Sequence, residues 1–107
     1  MPVTLVSAPL PTIRDGQSWG KVANLRSSIT ATQRERTELT LRFNQRMQGW
    51  CQQQGHGYLS LDAASLGPDG CVSSLLLNVD PHDHHYDRKA YRALIHREWG
   101  AQRMSAR

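Results

Sequence analysis

Thr32-Gln33-Arg34-Glu35 and Tyr58-Leu59-Ser60-Leu61 bracket the most informative stretch of this chain. The first four residues set a hydroxyl three positions ahead of a glutamate. That is the reciprocal pattern that satisfies two otherwise unpaired N–H groups at a helix start. From there Leu39, Phe43, Met47 and Trp50 recur at spacings of four, four and three, which predicts a helix with one apolar face. Gly55 follows as the residue that takes the left-handed turn past a helix end. Tyr58 to Leu61, entered through His56-Gly57, then reads as a short strand with Asp62 at its carboxyl end.

Upstream, Val3-Thr4-Leu5-Val6-Ser7 is β-branched and almost continuously apolar until Ala8-Pro9-Leu10-Pro11 stops it. Such a run is expected of a strand covered on both faces in a parallel sheet. Its closeness to Met1 leads to the expectation that a further segment precedes it. Residues 11–28, with Gly16, Gly20 and few periodic apolar positions, read as a loop. Downstream, Pro68-Asp69-Gly70 has turn chemistry, and Leu75-Leu76-Leu77 is too short to assign. Asp87 stands as N-cap of a last helix, with Tyr86 and Tyr91 placed as a hydrophobic staple. Tyr91, Leu94, Ile95 and Trp99 form its expected buried stripe, Gly100 its end, and residues 101–107 a frayed tail. Strand, helix, strand, helix is the grammar of an α/β domain around a parallel sheet, with ligands beyond the strands' carboxyl ends.

At 107 residues the chain supports one domain. Its net charge of +4 comes from eleven arginines and two lysines against nine acids. The arginines are scattered rather than interleaved with aromatics in a stripe, so no nucleic-acid partner is expected. The first ten residues lack a basic start and are broken by proline, so neither a signal peptide nor a membrane span is expected. Cys51 and Cys71 make no CxxC motif or disulfide framework, and a cytoplasmic setting is the expectation.

The chemistry concentrates in Asp80-Pro81-His82-Asp83-His84-His85-Tyr86-Asp87, which holds three of the five histidines and three of the nine acids. Histidine exchanges a proton near neutral pH, and a neighbouring carboxylate fixes its tautomer. Asp83 and His85, two apart on one loop, can meet that need locally. His82, His84 and His85 with a nearby aspartate also offer enough ligands for zinc. Their HxHH spacing matches neither HxHxDH nor HExxH, and His56 and His96 stand alone, so no metal or other cofactor is expected. The plainest alternative makes these residues loop and cap positions with solvated histidines. Ser7, Ser18 and Ser60 are not read as nucleophiles.

From Val3 to Trp99 the chain resembles the C-terminal half of an SGNH (GDSL-type) hydrolase. The resemblance rests on the strand ending in Ala8-Pro9-Leu10-Pro11 and on Arg36-Thr37-Glu38-Leu39-Thr40-Leu41-Arg42-Phe43-Asn44 at the helix opening. It continues through Cys51, Tyr58-Leu59-Ser60-Leu61-Asp62, the Pro68-Asp69-Gly70 turn, and an Asp-His-His segment ahead of the terminal helix. It implies part of a flavodoxin-like three-layer sandwich and ester or acetyl-ester hydrolysis. His85 would be the general base and Asp83 its orienting partner. The family's usual spacing is Asp-x-x-His, whereas Asp83-His84-His85 gives Asp-x-His, which leaves Asp80 and His84 as alternatives. The family's Gly-Asp-Ser nucleophile block and Gly-x-Asn-Asp oxyanion block are absent. Without them most rate enhancement is lost, so the chain is expected to be inactive alone. A missing N-terminal segment or a second chain would complete it. The alternative is a small non-catalytic module that binds a metal or protein partner through the His82–His85 loop.

Overall fold

The computed structural model describes residues 3–15, 31–80 and 83–105. Strand β1 (Thr4–Val6) leads to helix α1 (Gln33–Gln54), strand β2 (Gly57–Leu59) and the one-turn helix α2 (Asp62–Ser65). A turn of 3-10 helix at Ser74–Leu76 and helix α3 (Arg88–Ser105) complete the described part. The protein is thus α/β, with β1 and β2 parallel and Leu5 opposite Tyr58.

Local chemistry sets the bounds of α1. The Thr32 hydroxyl accepts the Glu35 N–H at 3.0 Å, and the Glu35 carboxylate accepts the Thr32 N–H at 3.3 Å. At the other end Gly55 takes φ 75°, which an L side chain rarely adopts. Gly70, at φ 79°, closes the turn opened by Pro68, where the Asp69 carboxylate also accepts the Cys71 N–H at 3.0 Å. The leucine run is resolved as the 3-10 turn, which buries Leu76 and leaves Leu75 in solvent.

The expected apolar face of α1 is not its inward face. Leu39, Phe43 and Trp50 are 61%, 55% and 46% exposed, while Thr37, Asn44 and Cys51 are buried. Phe43 and Trp50 each precede an inward residue and so lie about 100° round the helix from it. The rotation is set by Asn44, whose amide must reach the backbone beyond β1. A second correction concerns β1. Rather than being covered on both faces, it leaves Val6 exposed, as is Val3 just ahead of it, and β2 is its one partner strand among the described residues.

The core gathers Leu10, Leu59, Leu61, Val72, Leu76, Tyr86 and Leu94. In α3, Leu94 is buried as expected, with Tyr91 and Ile95 packed against the core, but Trp99 is exposed. Nor does Gly100 end this helix, which continues to Ser105. An interior glycine costs about 1 kcal/mol without breaking the hydrogen-bond ladder. Gln102 then anchors the added turn, donating to the Ser60 carbonyl at 2.6 Å and accepting its N–H at 3.3 Å. Over 101–105 the backbone is thus part of the helix. Most of the long loop expected over 11–28 lies outside the described residues.

Candidate functional site

The segment after β1 is stapled down at almost every residue. Asn44 Oδ1 accepts the Ala8 N–H at 3.0 Å, and its Nδ2 donates to the Ala8 carbonyl at 3.1 Å and to Asp62 Oδ1 at 2.8 Å. The Ser7 hydroxyl accepts the Leu61 N–H at 2.8 Å in a buried setting, so this serine holds the strand ends together and is not presented as a nucleophile. Ser18 lies outside the described residues. Beyond Ala8, the Leu10 N–H donates to the Tyr86 hydroxyl at 2.7 Å. The Thr12 hydroxyl donates to the His84 carbonyl at 2.5 Å, and Arg36 Nη2 donates to the Ile13 carbonyl at 2.7 Å.

The histidine loop is held from its other end. Leu77 and Tyr86 form an antiparallel bridge, and the Asp87 N–H donates to the Leu76 carbonyl at 2.9 Å. Asp87 caps α3 by accepting the Ala90 N–H at 2.9 Å, and the Tyr86 and Tyr91 rings meet edge to face at 5.4 Å, as the staple requires. Burial pushes the Tyr86 phenol above its ordinary pKa, against the lowering effect of its bonds to Leu10 and Ser65. It therefore stays neutral as an acceptor for Leu10.

Within this frame Asp83 Oδ1 lies 2.9 Å from His85 Nδ1 and also accepts the His85 backbone N–H at 2.9 Å. Asn78 Nδ2 donates to the other carboxylate oxygen at 3.3 Å. The His85 backbone bond, then the side-chain bond, then the nearby imidazoles hold the Asp83 carboxyl below the usual range. An ionised carboxylate can only accept, so the proton of a neutral His85 sits on Nδ1 and leaves Nε2 as a base. The His85 side chain is 75% exposed. The His84 ring stacks on it at a centroid distance of 4.1 Å. The Asp80 carbonyl accepts the Asp83 N–H at 3.1 Å. His82 lies outside the described residues. For metal binding, Asp83, His84 and His85 each offer a ligand atom within 4.8 Å of the others.

His84 and His85 open onto a cleft of about 570 Å³, whose other walls are Pro9 to Ile13 and the first turns of α1. The cleft stands beyond the carboxyl end of β1, where parallel α/β sheets bind ligands. The sequence pointed to the Asp83–His85 pair but gave no role to Thr12, Arg36 or Asn44. Asn44 had a readable signal: it lies seven residues from both Thr37 and Cys51, and an asparagine inside a helix is unfavourable unless its amide has partners. No family model, curated protein or solved structure matches this chain. Among the described residues no helix is long and apolar enough to cross a membrane.

Proposed function

We propose that this chain is the C-terminal half of an SGNH-like ester hydrolase, a part of a flavodoxin-like sandwich that carries the aspartate and histidine of a Ser-His-Asp triad. The observation that carries the reading is the 2.9 Å contact between Asp83 Oδ1 and His85 Nδ1. It is the arrangement in which a carboxylate holds an imidazole in the tautomer that accepts a hydroxyl proton. The cleft beside His85 and the parallel β1–α1–β2 unit support it. His85 takes the proton of an attacking hydroxyl and returns it to the leaving alcohol, while Asp83 stays ionised throughout. The hydroxyl and the oxyanion donors come from a second polypeptide segment. Alone, the chain should hydrolyse a short-chain nitrophenyl ester no faster than its own His85→Ala variant. A His85-dependent burst would reveal a nucleophile within the chain. Joined to a strand–helix segment bearing a Gly-Asp-Ser block, it should gain turnover that His85→Ala abolishes and Asp83→Asn cuts by roughly 10⁴-fold. Turnover indifferent to His85 would sink the reading.

The metal-binding alternative has one observation in its favour, the convergence of Asp83, His84 and His85 within 4.8 Å. Two of these three are adjacent in sequence and their rings are stacked, which hinders a tetrahedral set. Zinc titration should therefore give weak binding. Tight stoichiometric binding, lost on replacing His82 or His84, would overturn the hydrolase reading in favour of a metal module.

A further inference from the structure

The cleft beside His85 combines two features that seldom occur together without a ligand. Its lining is mainly apolar, with Leu10, Ile13, Leu39 and Tyr91 among the walls, and it also includes Arg36, whose guanidinium bonds the carbonyl of the lining residue Ile13. Arg36 is half-buried on the first turn of α1, with Nη2 committed to the Ile13 carbonyl at 2.7 Å. Among the described residues no carboxylate pairs with it. Asp83, the nearest acid in sequence to the lining histidines, is not itself part of the lining, and its oxygens are taken by His85 and Asn78. A guanidinium has five N–H donors in a planar fork suited to a carboxylate, and one bond to a carbonyl leaves most of them unused. Placing that charge in an apolar recess is unfavourable unless an anion answers it.

Leu39 supplies the complementary half. It lines the cleft yet is 61% exposed, one turn of helix from Arg36, so an apolar chain laid along it would leave water. A recess of this size falls in the range that encloses small organic ligands, roughly 300–1,000 Å³.

We propose that the cleft binds a monocarboxylate with an unbranched apolar tail, its carboxylate on Arg36 and its tail along Ile13, Leu39 and Tyr91. Such an acid is what ester hydrolysis at His85 would release. The inference deepens the hydrolase reading in that respect, yet the binding itself needs no nucleophile and no turnover.

Decanoate below its micellar concentration is the probe, followed by calorimetry and by NMR of the intact chain. Decanoate should bind one to one and shift the resonances of Ile13, Leu39 and Tyr91. Arg36→Gln should weaken binding about ten- to a hundredfold, the loss of a charge-assisted contact. Arg36 also holds the Ile13 carbonyl, so Leu39→Ser is the second variant. It changes an exposed side chain, leaves the fold intact and should weaken decanoate several-fold. Decyltrimethylammonium should bind far more weakly than decanoate, and His85→Ala should keep decanoate binding while any reconstituted turnover is lost. The proposal is overturned if decanoate shifts only Phe43 and Trp50, if the ammonium binds as well, or if Arg36→Gln and Leu39→Ser leave affinity unchanged. Failure of turnover with decanoate binding intact would count against the hydrolase reading alone.

Discussion

Asp62, just beyond β2, and Asp83, in the loop before α3, each lie in hydrogen-bond reach of a side-chain nitrogen, 2.8 Å from Asn44 and 2.9 Å from His85. Their surroundings differ. Asp62 joins a cluster in which Asn44, 1% exposed, also clamps both backbone groups of Ala8. Burial raises its pKa and the Asn44 bond offsets this only in part. Asp83 sits on the surface, where donors from His85 lower its pKa. The first cluster has the Asn44 amide engaged on both sides within the protein and fixes where the strand ends lie. The second holds His85 through Nδ1 and leaves its side chain 75% exposed, as the proton exchange proposed for it would require. Enclosure thus ties the first carboxylate to architecture, while exposure leaves the second pair open to the proton exchange proposed for it.

Asn44→Ala should have the largest effect on stability. It strips the Ala8 N–H and carbonyl and one Asp62 oxygen of their partner, at a cost of about 2–4 kcal/mol in denaturant unfolding. A loss below about 0.5 kcal/mol would mean the cluster is not structural and would erase the contrast with Asp83. Tyr86→Phe comes next. It leaves the buried Leu10 N–H without its acceptor, at about 1–2 kcal/mol, and should loosen the wall of the cleft as well.

The two carboxylates should also give stability opposite slopes against pH. Asp62 has a raised folded pKa, so its contribution is complete below the ordinary aspartate value and fades as pH rises through the folded value. Asp83 has a lowered folded pKa, so its contribution is present above the ordinary value and is lost as pH falls through the folded one. Unfolding measured across the acid range in Asp62→Asn and Asp83→Asn should remove one slope each. The same sign in both variants would break the comparison. Near neutral pH Asp83→Asn should therefore be less stable than the parent, with the difference closing as pH falls through the folded value, while nitrogen NMR shows His85 losing its preference for the Nδ1–H tautomer.

What was legible in the sequence was local. The capping box at Thr32, the glycine at position 55, the Tyr86–Tyr91 staple and the Asp83–His85 pair each lie within a few residues, and each is present. What sequence periodicity misassigned depended on distant partners. The rotation of α1 is set by bonds between residues 36 apart, and the helix runs past Gly100 because Gln102 reaches Ser60 across 42 positions. The cleft was invisible for the same reason, since Ile13, Arg36 and His85 come from three separate segments.

The smallest expected effect concerns Phe43, which neighbours Asn44 in sequence yet points elsewhere. It is 55% exposed, so Phe43→Gln removes little that folding had buried and should change stability by no more than about 0.5 kcal/mol. An apolar stripe facing the core would instead cost about 3–5 kcal/mol for a comparable loss at phenylalanine. Equilibrium unfolding of Phe43→Gln beside Asn44→Ala therefore reads the orientation of α1 directly. A large loss at Phe43 with little at Asn44 would mean that α1 turns its apolar face inward, as the sequence periodicity suggested. The helix would then be rotated by about 100°, and Arg36 and Leu39 would be carried away from the cleft.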